Sequence, residues 1–116
     1  MNNYQKAIEN SNIVSKTDIN GIITFVNDEF CNLFGFKKDE LIGKNHNIIR
    51  HPDTPKENFE LLWNTILDKK VYKSTVKNIS KNGEDIYLNT TIIPILDEKE
   101  ENIVEFVAIR YDITNE

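Results

Sequence analysis

Short β-branched segments lie close together near the N-terminus of the chain. Residues 13–14 and 22–26 form two such segments, and Asp18-Ile19-Asn20-Gly21 separates them. An Asn-Gly pair between two β-branched segments is the strongest short-range signal for a β-hairpin, because both residues tolerate a positive φ angle. The pattern therefore predicts a strand, a tight turn and a second strand.

The middle of the chain follows helical spacing instead. Four large apolar side chains recur at i, i+3, i+4 and i+7, so they share one face of a predicted helix. They are Phe59, Leu62, Trp63 and Ile66. Two shorter helices are predicted before them, ending at Gly35 and Gly43, since glycine readily adopts the left-handed conformation that ends a helix. The polar residues 45–55 predict a loop with a brief helical turn, and Pro55 suits the first position of the long helix.

Period-two alternation follows beyond residue 70. Residues 71–79, 86–95 and 103–113 are predicted strands, with a turn at Lys81-Asn82-Gly83. One face of the last strand carries Val104, Phe106, Ala108 and Arg110, and the other carries Val107, Ile109 and Tyr111. Strands at both ends of a helical middle imply an α+β fold, a five-stranded antiparallel sheet with the helices on one face.

Composition narrows the function classes. The 116 residues fit one domain, and a net charge of -5 argues against the basic face that nucleic-acid binding needs. Cys31 is the single cysteine, so no intramolecular disulfide forms. No apolar run approaches the roughly 18 residues of a membrane span, and residues 1–10 carry no signal-peptide segment. We therefore expect a cytoplasmic domain without membrane contact.

The order of elements, together with several short motifs, resembles the PAS family over nearly the whole chain. The motifs are Thr17-Asp18-Ile19-Asn20-Gly21-Ile22-Ile23, Val26-Asn27-Asp28-Glu29-Phe30, Gly35-Phe36, Glu40-Leu41-Ile42-Gly43-Lys44, Asn82-Gly83 and Asp112-Ile113-Thr114. The resemblance implies a PAS fold, with one longer helix among short ones, and a sensor domain over residues 11–114. Residues 1–10 are then an N-terminal helical cap or linker, and residues 115–116 begin a linker to an output domain.

A sharper resemblance lies in residues 45–56, Asn-His-Asn-Ile-Ile-Arg-His-Pro-Asp-Thr-Pro-Lys. This segment is similar to PAS domains of the bacterial aerotaxis receptor type, which bind FAD and report redox state. There an Arg-His-Pro-Asp run precedes a tryptophan in the next helix, and two asparagines lie near the flavin. The resemblance implies a redox or oxygen sensor whose cofactor-binding residues are Asn27, Arg50, His51, Asp53, Trp63 and Asn78. Tyr72 stands where that subgroup carries a second tryptophan.

The chemistry of these residue types leaves simpler interpretations open. Arginine offers a fixed fork of donors, and histidine donates or accepts, which suits phosphates or a polar ring. Equally, Asp53 and Asn27 are good helix caps, Arg50 suits a surface ion pair and Trp63 suits a core position. Asn78 would then be a solvent-facing strand residue.

Metal, haem and photochemical sites have weaker signals. Two histidines, His46 and His51, with a distant cysteine make no recognised metal spacing, although some PAS domains bind haem. Light-oxygen-voltage relatives form a flavin–cysteine adduct in an Asn-Cys-Arg context. The corresponding region here has the Arg-His-Pro-Asp run and no cysteine, so we expect no photoadduct. Cys31 is expected to be a small buried apolar residue.

No catalytic motif is present, since phosphate-binding glycine loops and nucleophile–base pairs are both missing. We therefore predict a sensor and not an enzyme, with a C-terminal output domain (a kinase, a cyclic-dinucleotide enzyme or a chemotaxis transducer). A homodimer is expected, and Tyr4, Ala7 and Ile8 suit a short amphipathic helix that pairs with another subunit, which supports the relay module named next. A cofactor-free dimerisation and relay module, or a small-metabolite sensor, is the alternative.

Overall fold

The computed structural model describes residues 12–115. Within them the chain forms five strands, three α-helices and one short 3₁₀ helix. In chain order these are β1 (Ile13–Thr17), β2 (Ile23–Val26), α1 (Asp28–Phe34), α2 (Lys38–Leu41), the 3₁₀ helix (His46–Ile49), α3 (Lys56–Leu67), β3 (Tyr72–Ile79), β4 (Asp85–Leu96) and β5 (Ile103–Asp112). The expected N-terminal cap, with Tyr4, Ala7 and Ile8, lies outside the described residues, as does Glu116.

The five strands form one antiparallel sheet in the order β2-β1-β5-β4-β3. The first and last strands lie side by side, with Ser15 opposite Ala108 and Ile13 opposite Arg110. The predicted α+β architecture, a five-stranded antiparallel sheet with several short helices and one longer one, is confirmed. Pairing of β1 with β5 brings residues from the two ends of the chain together in the centre of the sheet.

The predicted strand, tight turn and strand are observed as the antiparallel β1–β2 pair, but the backbone of the turn is not that of an Asn-Gly turn with two positive φ angles. Only Gly21 takes a positive φ angle, 82°, whereas Asn20 does not. Instead the Asp18 carboxylate accepts from the backbone N–H of Asn20 at 2.8 Å and of Ile22 at 3.0 Å. An aspartate that bonds the backbone ahead of it forms its own turn, and this interaction sets the geometry here. The connection brings Gly21 against Trp63, where an added Cβ would lie 3.4 Å from the ring.

Two apolar clusters hold the helices on the sheet. Phe30 and Phe34 of α1 are fully buried, with ring centroids 4.7 Å apart, and they pack in a cluster with residues of β1, β2 and β4. Ile66 of α3 is buried in a second cluster against β4 and β5, which Trp63 and Leu62 partly cover. The helix begins one residue later than predicted, because Pro55 occupies the N-cap position.

Polar residues, not apolar ones, occupy the inner face of the sheet between these clusters. Five of them are buried, each less than 9% exposed: Ser15, Thr17, Asn78, Thr90 and Arg110. Buried polar groups are normally retained only where hydrogen bonds or ligands satisfy them. The fold therefore directs attention to this strip of the sheet.

Candidate functional site

A cavity lies between the inner face of the sheet, the 3₁₀ helix and α3. The volume of this cavity is about 110 Å³. Its apolar walls include Ile49, Phe59, Trp63, Ile66 and Phe106. Its polar lining includes Ser15, His46, Asn78, Thr90 and Arg110. A concave, mostly apolar cavity with a few polar groups is typical of a small-molecule site.

Asn78 has an unsatisfied acceptor in this cavity. Its Nδ2 donates to the backbone carbonyl of Ile49 at 3.1 Å, and this bond fixes the amide orientation because a carbonyl only accepts. Its Oδ1 is buried and has no hydrogen-bond partner among residues 12–115. Such an orphaned acceptor costs about 1–3 kcal/mol. A ligand N–H or O–H placed here would remove that cost.

Trp63 packs in the core and also lines the cavity. Its ring packs edge-on against Phe106, with centroids 5.9 Å apart and planes at 84°, so it belongs to the second apolar cluster. It also lines the cavity, where its indole forms part of the wall beside Gly21. Trp63 is therefore both a residue of the apolar cluster and a residue of the cavity wall.

Arg50 lies at the exposed rim of the cavity. Its guanidinium stacks on the Phe59 ring, 3.4 Å from the centroid, and its backbone bridges to Asn78. Stacking holds the planar fork without using its N–H donors. The fork is thus oriented beside the cavity with donors available for an anionic group.

His51 and Asp53 do not line this cavity. His51 is buried, accepts from the backbone N–H of Asp53 at its Nδ1 (3.0 Å) and donates from Nε2 to Asp85 at 2.8 Å. The hydrogen bond from His51 is the main reason that the pKa of Asp85 lies below its ordinary value. Asp53 is exposed, with its carboxylate 3.8 Å from Lys77 Nζ, and it does not cap α3. Both residues tie the loop that carries Arg50 to the β3–β4 hairpin.

Asn27 also lies away from the cavity. Its Oδ1 accepts from the backbone N–H of Val14 at 3.1 Å and of Phe30 at 3.0 Å, and its Nδ2 donates to Asn12 at 2.6 Å. It therefore caps α1 and joins that helix to β1. Among the residues predicted to bind a cofactor, the structure brings Arg50, Trp63 and Asn78 together at the cavity.

Sequence reasoning missed the most polar group of the cavity wall, here named the Arg110 cluster (Arg110, Ser15 and His46). Arg110 is 2% exposed and donates to Ser15 Oγ at 3.1 Å and to His46 Nε2 at 2.8 Å. Burial lowers the pKa of Arg110 to about 9, so the guanidinium keeps its charge at neutral pH. The alternation of β5 did place Arg110 on the face of Phe106 and Ala108, and this was the signal available.

His46 is neutral in this cluster. Because arginine only donates, His46 Nε2 must carry a lone pair and the ring proton must be on Nδ1. Burial of the ring, and then the charges of Arg110 and Arg50, lower the pKa of His46 to about 3. The serine hydroxyl, 3.3 Å from Nε2, completes the set of neutral partners.

Comparison with known proteins identifies the family. Residues 10–115 match the PAS domain family. The chain belongs to the PAS family. It is 33% identical over 108 residues to the aerotaxis receptor of Escherichia coli (strain K12), covering 93% of this chain and 21% of the receptor. It is 36% identical over 97 residues to a blue-light photoreceptor of Listeria innocua, covering 84% of this chain and 38% of that protein.

Solved structures share the fold of this PAS domain. A PAS domain from Colwellia psychrerythraea superposes with a TM-score of 0.87 at 21% identity, covering 97% of this chain and 96% of that one. A light-oxygen-voltage domain studied with a flavin analogue superposes with a TM-score of 0.86 at 17% identity, covering 98% and 87%. The chain spans about a fifth to two fifths of the curated relatives named above. It is a sensory domain of the kind found in signalling proteins, and such a domain is not itself catalytic.

The remaining candidate sites of this PAS domain are poorly placed for metal or thiol chemistry. Residues 12–115 contain no group of three or more His, Cys, Asp or Glu that could hold a metal ion. Cys31 is half-buried in α1, outside the cavity lining, and burial raises the pKa of its thiol. No helix within the described part of the chain is long and apolar enough to span a membrane.

Proposed function

We propose that this PAS domain binds a flavin, FAD, and reports redox or oxygen state to an output domain of its parent protein. The observation that carries this proposal is the orphaned Oδ1 of Asn78 in a cavity walled by Trp63. The polar edge of a flavin ring presents an N–H donor, which is the group that this acceptor lacks. The similarity to an aerotaxis receptor and to blue-light photoreceptors supports the same ligand class.

The cavity lining combines aromatic faces with one polar edge. Phe59, Trp63 and Phe106 line it together with Asn78. Trp63 would pack against the flavin ring, and Asn78 would hold the ring edge. Arg50 at the rim would face the phosphates, for which arginine provides a planar fork of donors.

A groove beside the cavity suits the rest of the cofactor. It runs between the start of α3 and β3, and it shares Phe59, Leu62 and Lys77 with the cavity wall. Lys77 in this groove lies 3.8 Å from Asp53 and 3.7 Å from Asp85, so Arg50 would be the main cation for the phosphates. His51, Asp53 and Asn27 would act on binding by holding the loop, the hairpin and α1 in place.

Bound FAD would supply the redox chemistry, and the chain would convert it into movement. Asn78 links β3 to the 3₁₀ helix through its bond to Ile49 and would hold the ligand with the same amide. A change in hydrogen bonding at the ligand would therefore pull on the segment before Arg50. Two arrangements of this segment and of β5 would bias the output domain, proposed to follow in a homodimeric cytoplasmic protein.

The test is a spectrum of the protein as purified, with mass spectrometry of the material released on denaturation, followed by addition of FAD. We expect flavin bands close to one per chain. Asn78→Ala should lose the flavin, and Asn89→Ala should keep it, since Asn89 is a β4 residue outside the cavity lining. A colourless domain that also fails to bind added FAD would overturn the proposal.

A second candidate is a sensor for a small metabolite. The limited free volume of the cavity and its paired donor and acceptor, Arg110 and Asn78, favour a compact polar compound. Release of a non-flavin compound on denaturation, with no effect of FAD on stability, would support this candidate over the first.

A further inference from the structure

Arg110 carries a positive charge inside the protein without a negative partner in the described part of the chain. It is 2% exposed, and its hydrogen-bond partners Ser15 and His46 are both neutral. None of the ion pairs within residues 12–115 includes it. A buried charge is costly unless an opposite charge or a ligand compensates it.

Within residues 12–115, the groups in contact with Arg110 add no negative charge, and its register partner on β4 is the neutral Thr90. β1 contributes the Ser15 hydroxyl, and α1 contributes the Phe30 ring, whose centroid lies 5.5 Å from the guanidinium carbon. The 3₁₀ segment contributes neutral His46 and, just beyond it, the cation of Arg50. This end of the cavity therefore has a positive potential, which low-dielectric surroundings strengthen. It favours a ligand group that is anionic or becomes so.

Asn78 and Arg110 line one cavity and require complementary ligand groups. The Oδ1 of Asn78 needs a donor, and the guanidinium of Arg110 needs an anion. A neutral compound satisfies the first and leaves the second uncompensated. A ring that keeps an N–H while it gains a negative charge satisfies both.

We propose that Arg110 is the counter-charge for the reduced form of the bound flavin, so that the cavity holds the anionic reduced ring more tightly than the neutral oxidised ring. This inference rests on the proposed function. The oxidised ring takes up two electrons and one proton to give the anion, or two electrons and two protons to give the neutral reduced ring. The electrons come from a soluble reductant, which in the experiment is dithionite acting through mediator dyes.

The dependence of the reduction potential on pH reports which form is made. Two electrons with two protons give about 59 mV per pH unit, and two electrons with one proton give about 30 mV. The measurement is made in the acidic range where free FAD, titrated alongside, shows the larger slope. We expect the FAD-loaded domain to show about 30 mV per pH unit there.

Variants separate the charge from general packing. Arg110→Gln should restore the larger slope and lower the potential by about 30 mV for each tenfold loss of preference for the reduced ring. Arg110→Lys keeps the charge and should keep the smaller slope. Lys16→Gln is the control. Lys16 follows Ser15 on β1 and its side chain points to the opposite face of the sheet, so removing its charge should leave the slope and the potential unchanged.

Each outcome supports or overturns a stated claim. A wild-type slope equal to that of free FAD overturns the role of Arg110 while leaving flavin binding intact, and it needs no variant to fold. An unchanged slope and potential in a folded, flavin-loaded Arg110→Gln protein does the same. Failure of the wild-type domain to bind any flavin overturns both this inference and the proposed function.

Discussion

Replacing Asn78 by leucine separates the two roles of its amide, one structural and one for a ligand. The change leaves the buried Ile49 carbonyl without its donor, at a cost of about 1–3 kcal/mol. It also removes the buried Oδ1, whose lack of a partner among the described residues costs about 1–3 kcal/mol. The two effects have opposite signs and similar sizes. We therefore expect the free energy of unfolding of the ligand-free domain to change by less than about 2 kcal/mol.

Urea unfolding with and without FAD measures both roles in one series. At a free FAD concentration one hundred times the wild-type Kd, the wild type should gain about 2.7 kcal/mol, whereas the gain of Asn78→Leu should be smaller by at least about 1 kcal/mol, the lower value of the lost contact. Asn89→Leu is the matched control and should respond as the wild type does. A loss of more than about 3 kcal/mol in ligand-free Asn78→Leu would mean that Oδ1 already has a partner such as ordered water. An equal gain from FAD in both proteins would refute its contact with the ligand.

Three further predictions follow from other parts of the structure. Gly21→Ala should destabilise the domain by about 1–2 kcal/mol in a urea titration, because φ at this residue is 82°. Gly83→Ala is the control: its φ is 84° and no atom lies within 4 Å of the added Cβ, so it measures the backbone strain alone. The pKa of Asp85 is lower in the folded state than its ordinary value of 3.8, so the ionised carboxylate stabilises the fold above pH 3.8, and this stabilisation is lost as pH falls through the folded-state pKa. His51→Leu removes the main cause and should make the unfolding free energy less dependent on pH in this acid range. An unchanged pH dependence would contradict the role of His51. Arg50→Ala should lower the flavin content while changing the unfolding free energy by less than about 1 kcal/mol, and full flavin content would count against its role.

The regular elements were predictable because each depends on local spacing. The i, i+3, i+4, i+7 pattern around Trp63 and the alternation in the last three strands are short-range signals, and the structure follows them. The turn after β1 was predicted, but the conformation of Asn20 was not, because the Asp18 carboxylate accepts from the backbone N–H groups of Asn20 and Ile22. The sequence contains both the Asn-Gly pair and Asp18, but it does not show which of the two sets the backbone conformation of the turn.

The candidate site was only partly predictable, because its key contacts depend on pairing between distant segments. Arg110 meets Ser15 across 95 residues and His46 across 64, so its environment exists only once β5 lies beside β1. A resemblance to the aerotaxis type of PAS domain indicated Asn78, and burial on the inner face of β3 is consistent with that indication. By contrast, the same resemblance could not distinguish residues that line a cavity from those, such as His51, that hold its wall.

Asn78 and Arg110 both bond to the 3₁₀ helix. The Oδ1 of Asn78 lacks a hydrogen-bond partner, and the charge of Arg110 lacks an anionic partner, among the described residues. Asn78 of β3 holds the end of the 3₁₀ helix through the Ile49 carbonyl, and Arg110 of β5 holds its start through His46. A ligand that engages Asn78 Oδ1 and Arg110 together would contact two side chains that also bond to the 3₁₀ helix. Since Arg110 is a β5 residue that bonds to His46, a change of charge on the ligand would act on both β5 and the 3₁₀ helix through this one side chain. We therefore expect a change in the charge of the ligand to act on the structure more through the buried Arg110 than through the exposed Arg50.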